Sequence, residues 1–227
     1  MIITAGITNL KILNWENIKS VLLDMDGTLL DLHFDNYFWL EYVPQCYAEK
    51  NNIELDKAHE RLVTLYKSVE GTMDWYCLDY WTDQLDLDIV LLKEQVAHLI
   101  QVHPHVFDFL DKLKKMNIQR ILVTNAHQKS LDLKLRKTPI GNYLDEIITS
   151  HEYGLPKEDI ELWSKLQEKI HFNPKTTALI DDNTDILQSA QQFGILQLLA
   201  ISLPDSKKGR KTINNFPAID NFREVLY

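Results

Sequence analysis

Five short, almost uninterrupted apolar runs are spaced along the chain, each flanked by polar residues. An uninterrupted apolar run suits a strand buried on both faces, as strands of a parallel sheet are. Amphipathic segments of helical period separate the later runs, so the pattern predicts βαβ units and an α/β fold with helices on both faces of the sheet. The predicted strands are 20–24, 120–124, 146–149, 178–181 and 198–201, and the predicted helices are 106–116, 129–137, 159–169 and 184–193.

The interval between residues 31 and 103 departs from this alternation of strands and helices, because it contains only segments of helical period. An interval of about 70 residues is far too long for an ordinary connection between a strand and a helix. We therefore expect an inserted helical subdomain at 34–103 and a core formed by 1–33 and 104–227. Within the insertion, the predicted helices are 38–49, 56–69, 75–85 and 89–100.

Composition and charge restrict the class of protein further. With 227 residues, 45% of them hydrophobic, the chain can bury a sizeable core. Its net charge of -9 argues against a nucleic acid polymer or an anionic membrane as partner. The N-terminus lacks the pattern of a signal peptide and no apolar run is long enough to span a membrane, so we expect a soluble cytoplasmic protein. We also expect a monomer or homodimer. The basic stretch 205–215 is predicted to be a solvated loop.

Polar and mostly ionisable side chains follow four of the predicted strands. In open α/β sheets the ligand crevice lies just outside the carboxyl ends of the strands, so these side chains should converge there. Carboxylates that lie close together repel and raise each other's pKa unless a cation lies between them. Mg²⁺ suits such a site, because it binds oxygen ligands and substrate phosphate can complete its coordination. The residues, in chain order, are Asp24, Asp26, Thr124, Asn125, Lys157, Asp181 and Asp182.

The first of these motifs has a spacing that suits a ligand site. Asp24 and Asp26 are two residues apart at a strand exit, so both side chains can lean toward the crevice. Gly27 lets the chain turn and approach a ligand closely. An acidic site binds an anionic phosphate only if a metal and an ammonium offset its charge, and Lys157 can supply the ammonium.

Four motifs, DMDGT at 24–28, VTNA at 123–126, PKED at 156–159 and IDD at 180–182, occur in this order at the predicted strand ends. Together they resemble the motifs of the haloacid-dehalogenase (HAD) superfamily, whereas any one alone would be a weak signal. The resemblance implies a Rossmann-like parallel-sheet core. It also implies that the insertion at 34–103 is a helical cap of the C1 type.

The resemblance implies catalytic roles for individual residues. Asp24 would be the nucleophile that forms an aspartyl-phosphate. Asp26 would be the general acid that protonates the leaving oxygen and then the base that activates water. Thr124, with Asn125 nearby, would bind the phosphoryl oxygens, and Lys157 would balance the charge of nucleophile and phosphate.

By the same resemblance, Mg²⁺ would be held by the Asp24 carboxylate, the backbone carbonyl of Asp26 and Asp181. Asp182 or Asp185 would complete the site directly or through water. Dehalogenases of the superfamily lack the second aspartate of the first motif, and the ATPase branch carries a different residue there. Asp26 therefore points to a phosphatase or a phosphomutase, and the phosphatase is the commoner chemistry among capped members.

Longer segments resemble the bacterial GMP/IMP nucleotidase branch of the superfamily: 24–39, 72–89, 124–127, 156–163 and 180–187. This resemblance implies hydrolysis of purine 5′-mononucleotides to nucleoside and phosphate. The tail beyond about residue 203 matches none of the motifs. Two segments of the insertion are rich in aromatic residues, of which we expect most to pack and one or two to stack on a base. These residues are Tyr37, Phe38, Trp39, Trp75, Tyr76, Tyr80 and Trp81.

Other classes of protein use the same groups. A sugar-phosphate phosphatase, or a phosphomutase similar to β-phosphoglucomutase, would act on hexose phosphates through polar contacts from the cap. A phospho-receiver signalling domain also uses Asp, Thr, Lys and a pair of aspartates around Mg²⁺. In that class the acidic pair comes first in the chain, whereas here Asp181 and Asp182 come last, which disfavours it. An inactive scaffold would share the fold, but all five expected polar groups are present.

Overall fold

A parallel sheet forms the centre of the protein. The computed structural model describes residues 13–226, and the sheet within them has six strands, all paired in parallel. They are β1 (Ser20–Leu23), β2 (Gln119–Thr124), β3 (Glu146–Thr149), β4 (Thr177–Asp181), β5 (Gln197–Ile201) and β6 (Ala218–Ile219). Their spatial order is β3-β2-β1-β4-β5-β6, which confirms the predicted Rossmann-like α/β class.

The side chains of β1 explain why a continuous apolar run forms this strand. Val21 and Leu23 belong to the apolar cluster on one face of the sheet, and Leu22 belongs to the cluster on the other face. Since successive side chains of a strand point to opposite faces, both faces of β1 need apolar residues. The five predicted strands are therefore found, with ends that differ by one residue or less. The sixth, β6, is two residues long, which is too short to give a sequence pattern.

Helices fill most of the interval between β1 and β2, and residues 33–99 of this interval are called the helical insertion. They are α1 (His33–Tyr37), a π-helical turn (Phe38–Tyr42), α2 (Val43–Asn51), α3 (Leu55–Val69), α4 (Met73–Tyr76), α5 (Leu78–Leu85), α6 (Ile89–Gln95) and a 3-10 turn (Ala97–Leu99). Buried residues of this interval form an apolar cluster of their own, which Leu133 of the core joins. The predicted domain boundaries, a cap at 34–103 between core segments 1–33 and 104–227, stay a prediction.

The chain leaves the sheet and returns to it at one place. Leu30 and Val102 form an antiparallel bridge, and the amide of Asp31 donates to the carbonyl of Gln101 at 2.9 Å. The two crossing segments therefore lie side by side next to the end of β1. This position places the helical insertion beside the carboxyl ends of the strands.

Four longer helices cover the two faces of the sheet. They are α7 (Val106–Lys115), α8 (Gln128–Lys137), α9 (Ile160–Ile170) and α10 (Thr184–Phe193). Buried residues of α7 join the cluster on one face, and those of α9 and α10 join the cluster on the other, which confirms helices on both sides. Further 3-10 turns lie at Trp15–Asn17, Pro139–Tyr143, Ser150–Glu152, Pro174–Thr176 and Phe222–Val225. Among residues 13–226, no helix combines the length and the apolar character needed to cross a bilayer.

The strand order reverses between β1 and β4. From β1 the sheet continues through β2 to β3 on one side, and from β4 it continues through β5 to β6 on the other. Connections diverge at such a point and leave a crevice outside the carboxyl ends of the two strands. The residues that follow β1 and end β4 therefore line the natural ligand site of this fold.

Candidate active site

Three carboxylates converge at the carboxyl ends of β1 and β4. Asp24, Asp181 and Asp182 each offer one oxygen, and these oxygens lie within 4.8 Å of one another. The amide of Asp24 donates to the carbonyl of Ile180 at 3.0 Å, so the pairing of the two strands extends to the residue after β1. The parallel register thus brings together carboxylates that are far apart in the chain, as the sequence predicted.

Lys157 lies between two of these carboxylates. Its ammonium donates to Oδ1 of Asp24 at 2.6 Å and to Oδ2 of Asp181 at 2.8 Å, and its side chain is only 1% exposed. Burial alone would lower the pKa of this amine, but the two carboxylates outweigh that effect and raise its pKa above the usual range. The two carboxylates therefore favour the charged form of Lys157.

The acidic cluster retains an excess of negative charge that a cation would relieve. Oδ2 of Asp24 is buried without a hydrogen-bond partner among the described residues. Burial and the neighbouring carboxylates raise the pKa of Asp181 and of Asp182, and the ammonium groups of Lys157 and Lys211 oppose the shift. Buried polar groups without partners are rare unless an ion or water binds there. An all-oxygen set of this kind fits Mg²⁺.

Gly27 allows the loop after β1 to approach Asp182 closely. Its backbone is left-handed, with φ of 89°. A Cβ atom at this position would lie 2.7 Å from Cγ of Asp182, closer than carbon atoms pack. The observed close approach is to the Asp182 carboxylate after β4, whereas the predicted approach of Gly27 to a ligand stays a prediction.

Asp26 lies beside the cluster and pairs with a lysine that the sequence interpretation did not include. Nζ of Lys134, on α8, lies 2.7 Å from Oδ1 of Asp26 and 2.7 Å from Oδ2 of Asp35. Burial raises the pKa of Asp26 to about 7, with Asp35 and Asp24 adding to the rise and Lys134 opposing it. A carboxyl group with a pKa near neutral can both give and accept a proton at physiological pH.

Thr124 and Asn125 are at the end of β2, as predicted, but they make different contacts. The Thr124 hydroxyl accepts from the amide of Ala126 at 3.0 Å, which leaves its own proton available to a ligand. The amide group of Asn125 donates to Glu158 at 2.9 Å and accepts from the backbone of Lys157 at 2.9 Å. Asn125 thus holds the Lys157 segment in place as well as facing the cavity.

A cavity of about 520 Å³ opens above these groups. Its size is that of a small-molecule site. One wall consists of the acidic cluster and the ends of β1, β2 and β4, and the opposite wall comes from the helical insertion. Besides Asp24, Asp26, Thr124, Asn125, Lys157, Asp181 and Asp182, the lining includes Asp35, Asn36, Trp39, Leu40, Trp75, Tyr76, Trp81, Lys93, His127, Lys134, Lys211, Thr212 and Ile213.

Four of the seven aromatic residues singled out in the sequence line this cavity: Trp39, Trp75, Tyr76 and Trp81. Trp81 is 1% exposed, and its ring nitrogen donates to the carbonyl of Trp75 at 2.9 Å, so it belongs mainly to the packing of the insertion. The Tyr76 hydroxyl donates to Glu158, beside Lys157, at 2.7 Å. Trp39 and Trp75 are therefore the aromatic rings best placed to meet a bound molecule.

The basic stretch 205–215 is a loop, as predicted, but it is not only a solvated one. Lys211 donates to Oδ2 of Asp182 at 2.8 Å, and Thr212 and Ile213 line the cavity. Asp205 is buried and accepts from Asn36, at the start of the helical insertion, at 2.7 Å. Sequence reasoning missed this contribution because the tail carries no motif or periodicity.

The strand order and the carboxylate cluster at its reversal point define a Rossmann-like α/β protein with an acidic cluster at the edge where this fold binds ligands. A family model of haloacid dehalogenase-like hydrolases matches residues 18–194, and the chain belongs to this family.

Several relatives support this assignment. The chain is 40% identical over 212 residues to the GMP/IMP nucleotidase YrfG of Escherichia coli, covering 93% of this chain and 96% of that protein. It is 23% identical over 205 residues to a phosphorylated carbohydrates phosphatase of Thermotoga maritima, covering 84% of this chain and 89% of that one. The crystal structure of a HAD phosphatase from Thermococcus onnurineus has the same fold, with a TM-score of 0.76 at 24% identity, covering 92% of this chain and 96% of that one.

Proposed function

We propose that this protein is a Mg²⁺-dependent phosphatase that hydrolyses purine 5′-mononucleotides, GMP and IMP, to nucleoside and phosphate. The observation that carries the proposal is the cluster of Asp24, Asp181 and Asp182 in the cavity lining, with the buried Lys157 paired to Asp24 and Asp181. The similarity to a GMP/IMP nucleotidase over nearly the whole chain supports the choice of substrate.

In the proposed first step, the carboxylate of Asp24 forms a bond to phosphorus and the ester bond to the nucleoside oxygen breaks. The bonding electrons pass to that oxygen, and Asp26 supplies its proton through Oδ2, the oxygen not paired with Lys134. Asp26 then accepts a proton from the water that attacks the aspartyl-phosphate. This second step releases phosphate and restores Asp24.

The remaining residues hold the phosphate group. The hydroxyl of Thr124 donates to a phosphoryl oxygen, with Asn125 beside it, and Lys157 offsets negative charge on the nucleophile and the phosphate. Asp24, Asp181, Asp182 and the backbone carbonyl of Asp26 would hold Mg²⁺, which supplies charge neutralisation for the phosphate when bound.

The lining of the cavity supports a nucleoside as the group carried by the phosphate. Trp39 and Trp75 are among the lining residues, and stacking of an aromatic ring on one base is worth about 1–3 kcal/mol. Thr212, also in the lining, carries a hydrogen-bonding group. A cytoplasmic location and a monomeric or homodimeric state stay predictions from the sequence.

The proposal is tested by phosphate release from GMP, IMP, AMP, CMP, UMP and hexose phosphates, each with Mg²⁺ and with EDTA. We expect metal-dependent release concentrated on GMP and IMP. Release mainly from hexose phosphates would favour the sugar-phosphate phosphatase or phosphomutase instead. Release from none of them, with Mg²⁺ present, would contradict the proposed function.

A further inference from the structure

A second chain of charged side chains, two of them fully buried lysines, runs from Asp26 into the helical insertion. Lys134 of α8 pairs with Asp26 and with Asp35 of α1, and Lys93 of α6 pairs with the other oxygen of Asp35 at 2.7 Å. Both lysine side chains are only 2% exposed. The four groups, Asp26, Lys134, Asp35 and Lys93, are called the acid–lysine chain below.

Aromatic rings fix the far end of the acid–lysine chain. Nζ of Lys93 lies 4.7 Å from the ring centre of Phe34 and 4.6 Å from that of Phe38. Nζ of Lys134 lies 5.4 Å from the ring centre of Phe34. Rings at these distances attract a cation and leave it little room to move. The ammonium of Lys134 is therefore held in place by its surroundings.

Burying two lysines and most of two carboxylates is unfavourable, and apolar residues of similar volume often stabilise a protein as well or better. A contribution to stability alone therefore does not account for the acid–lysine chain. Its end, however, lies at Asp26, which lines the cavity next to Asp24. The acid–lysine chain therefore indicates a role that involves Asp26.

The contact between Lys134 and Asp26 determines which carboxylate oxygen faces the cavity. Oδ1 of Asp26 is buried and makes no hydrogen bond among the described residues, and it lies 2.7 Å from Nζ of Lys134 as an ion pair. The Asp26 side chain as a whole remains 21% exposed. The exposure must come from the rest of the side chain, which leaves Oδ2 as the oxygen available to a ligand. Within residues 13–226, Lys134 is the only ion-pair partner of the Asp26 carboxylate.

We propose that Lys134 is a positioning residue that holds Oδ1 of Asp26, so that Oδ2 faces the leaving oxygen of the substrate. Asp35 and Lys93 hold Lys134 in turn, so a helix of the core and two helices of the insertion together orient the acid. This inference rests on the proposed function, in which Asp26 protonates the leaving group.

The test compares two substrates that differ in their need for an acid. The nucleoside of GMP leaves as an alkoxide and needs a proton, whereas the phenolate of p-nitrophenyl phosphate leaves readily without one. The value of kcat/KM reports the steps up to loss of the leaving group, and so excludes hydrolysis of the aspartyl-phosphate. It is measured with Mg²⁺ for the wild type, Lys134→Met and Asp26→Asn.

We expect Lys134→Met to lower kcat/KM about 100-fold for GMP and less than about threefold for p-nitrophenyl phosphate. Asp26→Asn should give the same pattern with a larger loss. Lys134→Arg should recover part of the GMP activity, because arginine keeps a charge that can reach both carboxylates. An equal loss for the two substrates, or no loss, would overturn the inference.

Arg136→Met is the matched control, because it removes a cation from the same helix and an ion pair with Glu94 of the insertion at 3.0 Å. It should leave both kcat/KM values unchanged. If circular dichroism shows that Lys134→Met does not fold, Asp35→Asn replaces it and should shift the ratio of the two activities in the same direction. An unchanged ratio for Asp35→Asn would overturn the inference.

Comparison of Asp26→Asn with the Lys134 variants separates the positioning role of Lys134 from the proposed function. A selective GMP loss in Asp26→Asn without one in the Lys134 variants would remove only the positioning role. A wild type that releases phosphate from neither compound would remove the proposed function, and the positioning role with it.

Discussion

Two buried lysines of this protein each bridge two carboxylates, yet the clusters around them differ in charge. Lys157 joins Asp24 to Asp181, with Asp182 close by, so carboxylates outnumber buried ammonium groups. Lys134 joins Asp26 to Asp35, and Lys93 brings the number of lysines to that of the carboxylates.

The difference in charge indicates a difference in role. A cluster with excess negative charge can accept a cation and then an anionic ligand, because burial makes the excess unfavourable. A cluster with equal numbers of carboxylates and lysines has no such excess, and we infer that it holds its members in place. The same local contact, an ammonium between two carboxylates, is thus proposed to bind ligands in one cluster and to position a side chain in the other.

The largest expected effect is at Asp24, the proposed nucleophile, in the cluster around Lys157. Asp24→Asn should abolish phosphate release, because the aspartyl-phosphate can no longer form. The protein should stay folded and still bind phosphate in the presence of Mg²⁺, which calorimetry can measure. Turnover close to that of the wild type would contradict the covalent mechanism.

Removal of Lys157 should distinguish the two clusters by their response to metal. Lys157→Met leaves Asp24 and Asp181 unpaired and should cost about 3–5 kcal/mol in the free energy of unfolding. Mg²⁺ should recover part of this loss, so that it raises the Tm of the variant more than that of the wild type. Lys134→Met, in the acid–lysine chain, should also destabilise the protein, but Mg²⁺ should not raise the Tm of this variant more than that of the wild type. Equal increases in Tm for the two variants would contradict the comparison.

The acid–lysine chain should contribute less to the stability of the fold in acid. Burial alone would raise the pKa of Asp35, but Lys134 and Lys93 outweigh it and hold the pKa at about 2, below the usual 3.8. A carboxyl with a lowered pKa stabilises the fold above its unfolded pKa, and this contribution is lost as the pH falls from about 4 toward 2.

Urea unfolding of the wild type and Asp35→Asn tests this expectation at pH 6, 4 and 3. The wild type should lose more stability than Asp35→Asn between pH 4 and 3, since the variant has no carboxyl to protonate at this position. Parallel losses in the two proteins would show that Asp35 carries no such linkage.

The smallest effect is expected at an exposed ion pair between the core and the helical insertion. Arg136 and Glu94 are 59% and 43% exposed, so solvent screens their attraction. Arg136→Met should change the free energy of unfolding by no more than about 1 kcal/mol, and salt should reduce the difference. A loss comparable to that of Lys134→Met would mean that burial is not what separates these pairs.

The sequence predicted the sheet and the residues at its edge for a simple physical reason. A strand buried on both faces needs a continuous apolar run, and the polar residue that follows it, such as Asp24 or Asp181, is placed by the parallel register. The resemblance of four short motifs then indicated the family. Within the insertion, helix boundaries were predicted less well: 75–85 is divided into α4 and α5, and 89–100 ends as a helix at Gln95.

The sequence by itself therefore determined the fold, the acidic cluster and Lys157, because each depends on local periodicity or on a motif at a strand end. Only the tertiary structure decided the partners of Asp26 and the walls of the cavity. Lys93, Lys134 and Lys211 lie in segments whose local pattern is that of ordinary surface lysines. Long-range packing of α6, α8 and the 205–215 loop is what brings their ammonium groups to the carboxylates.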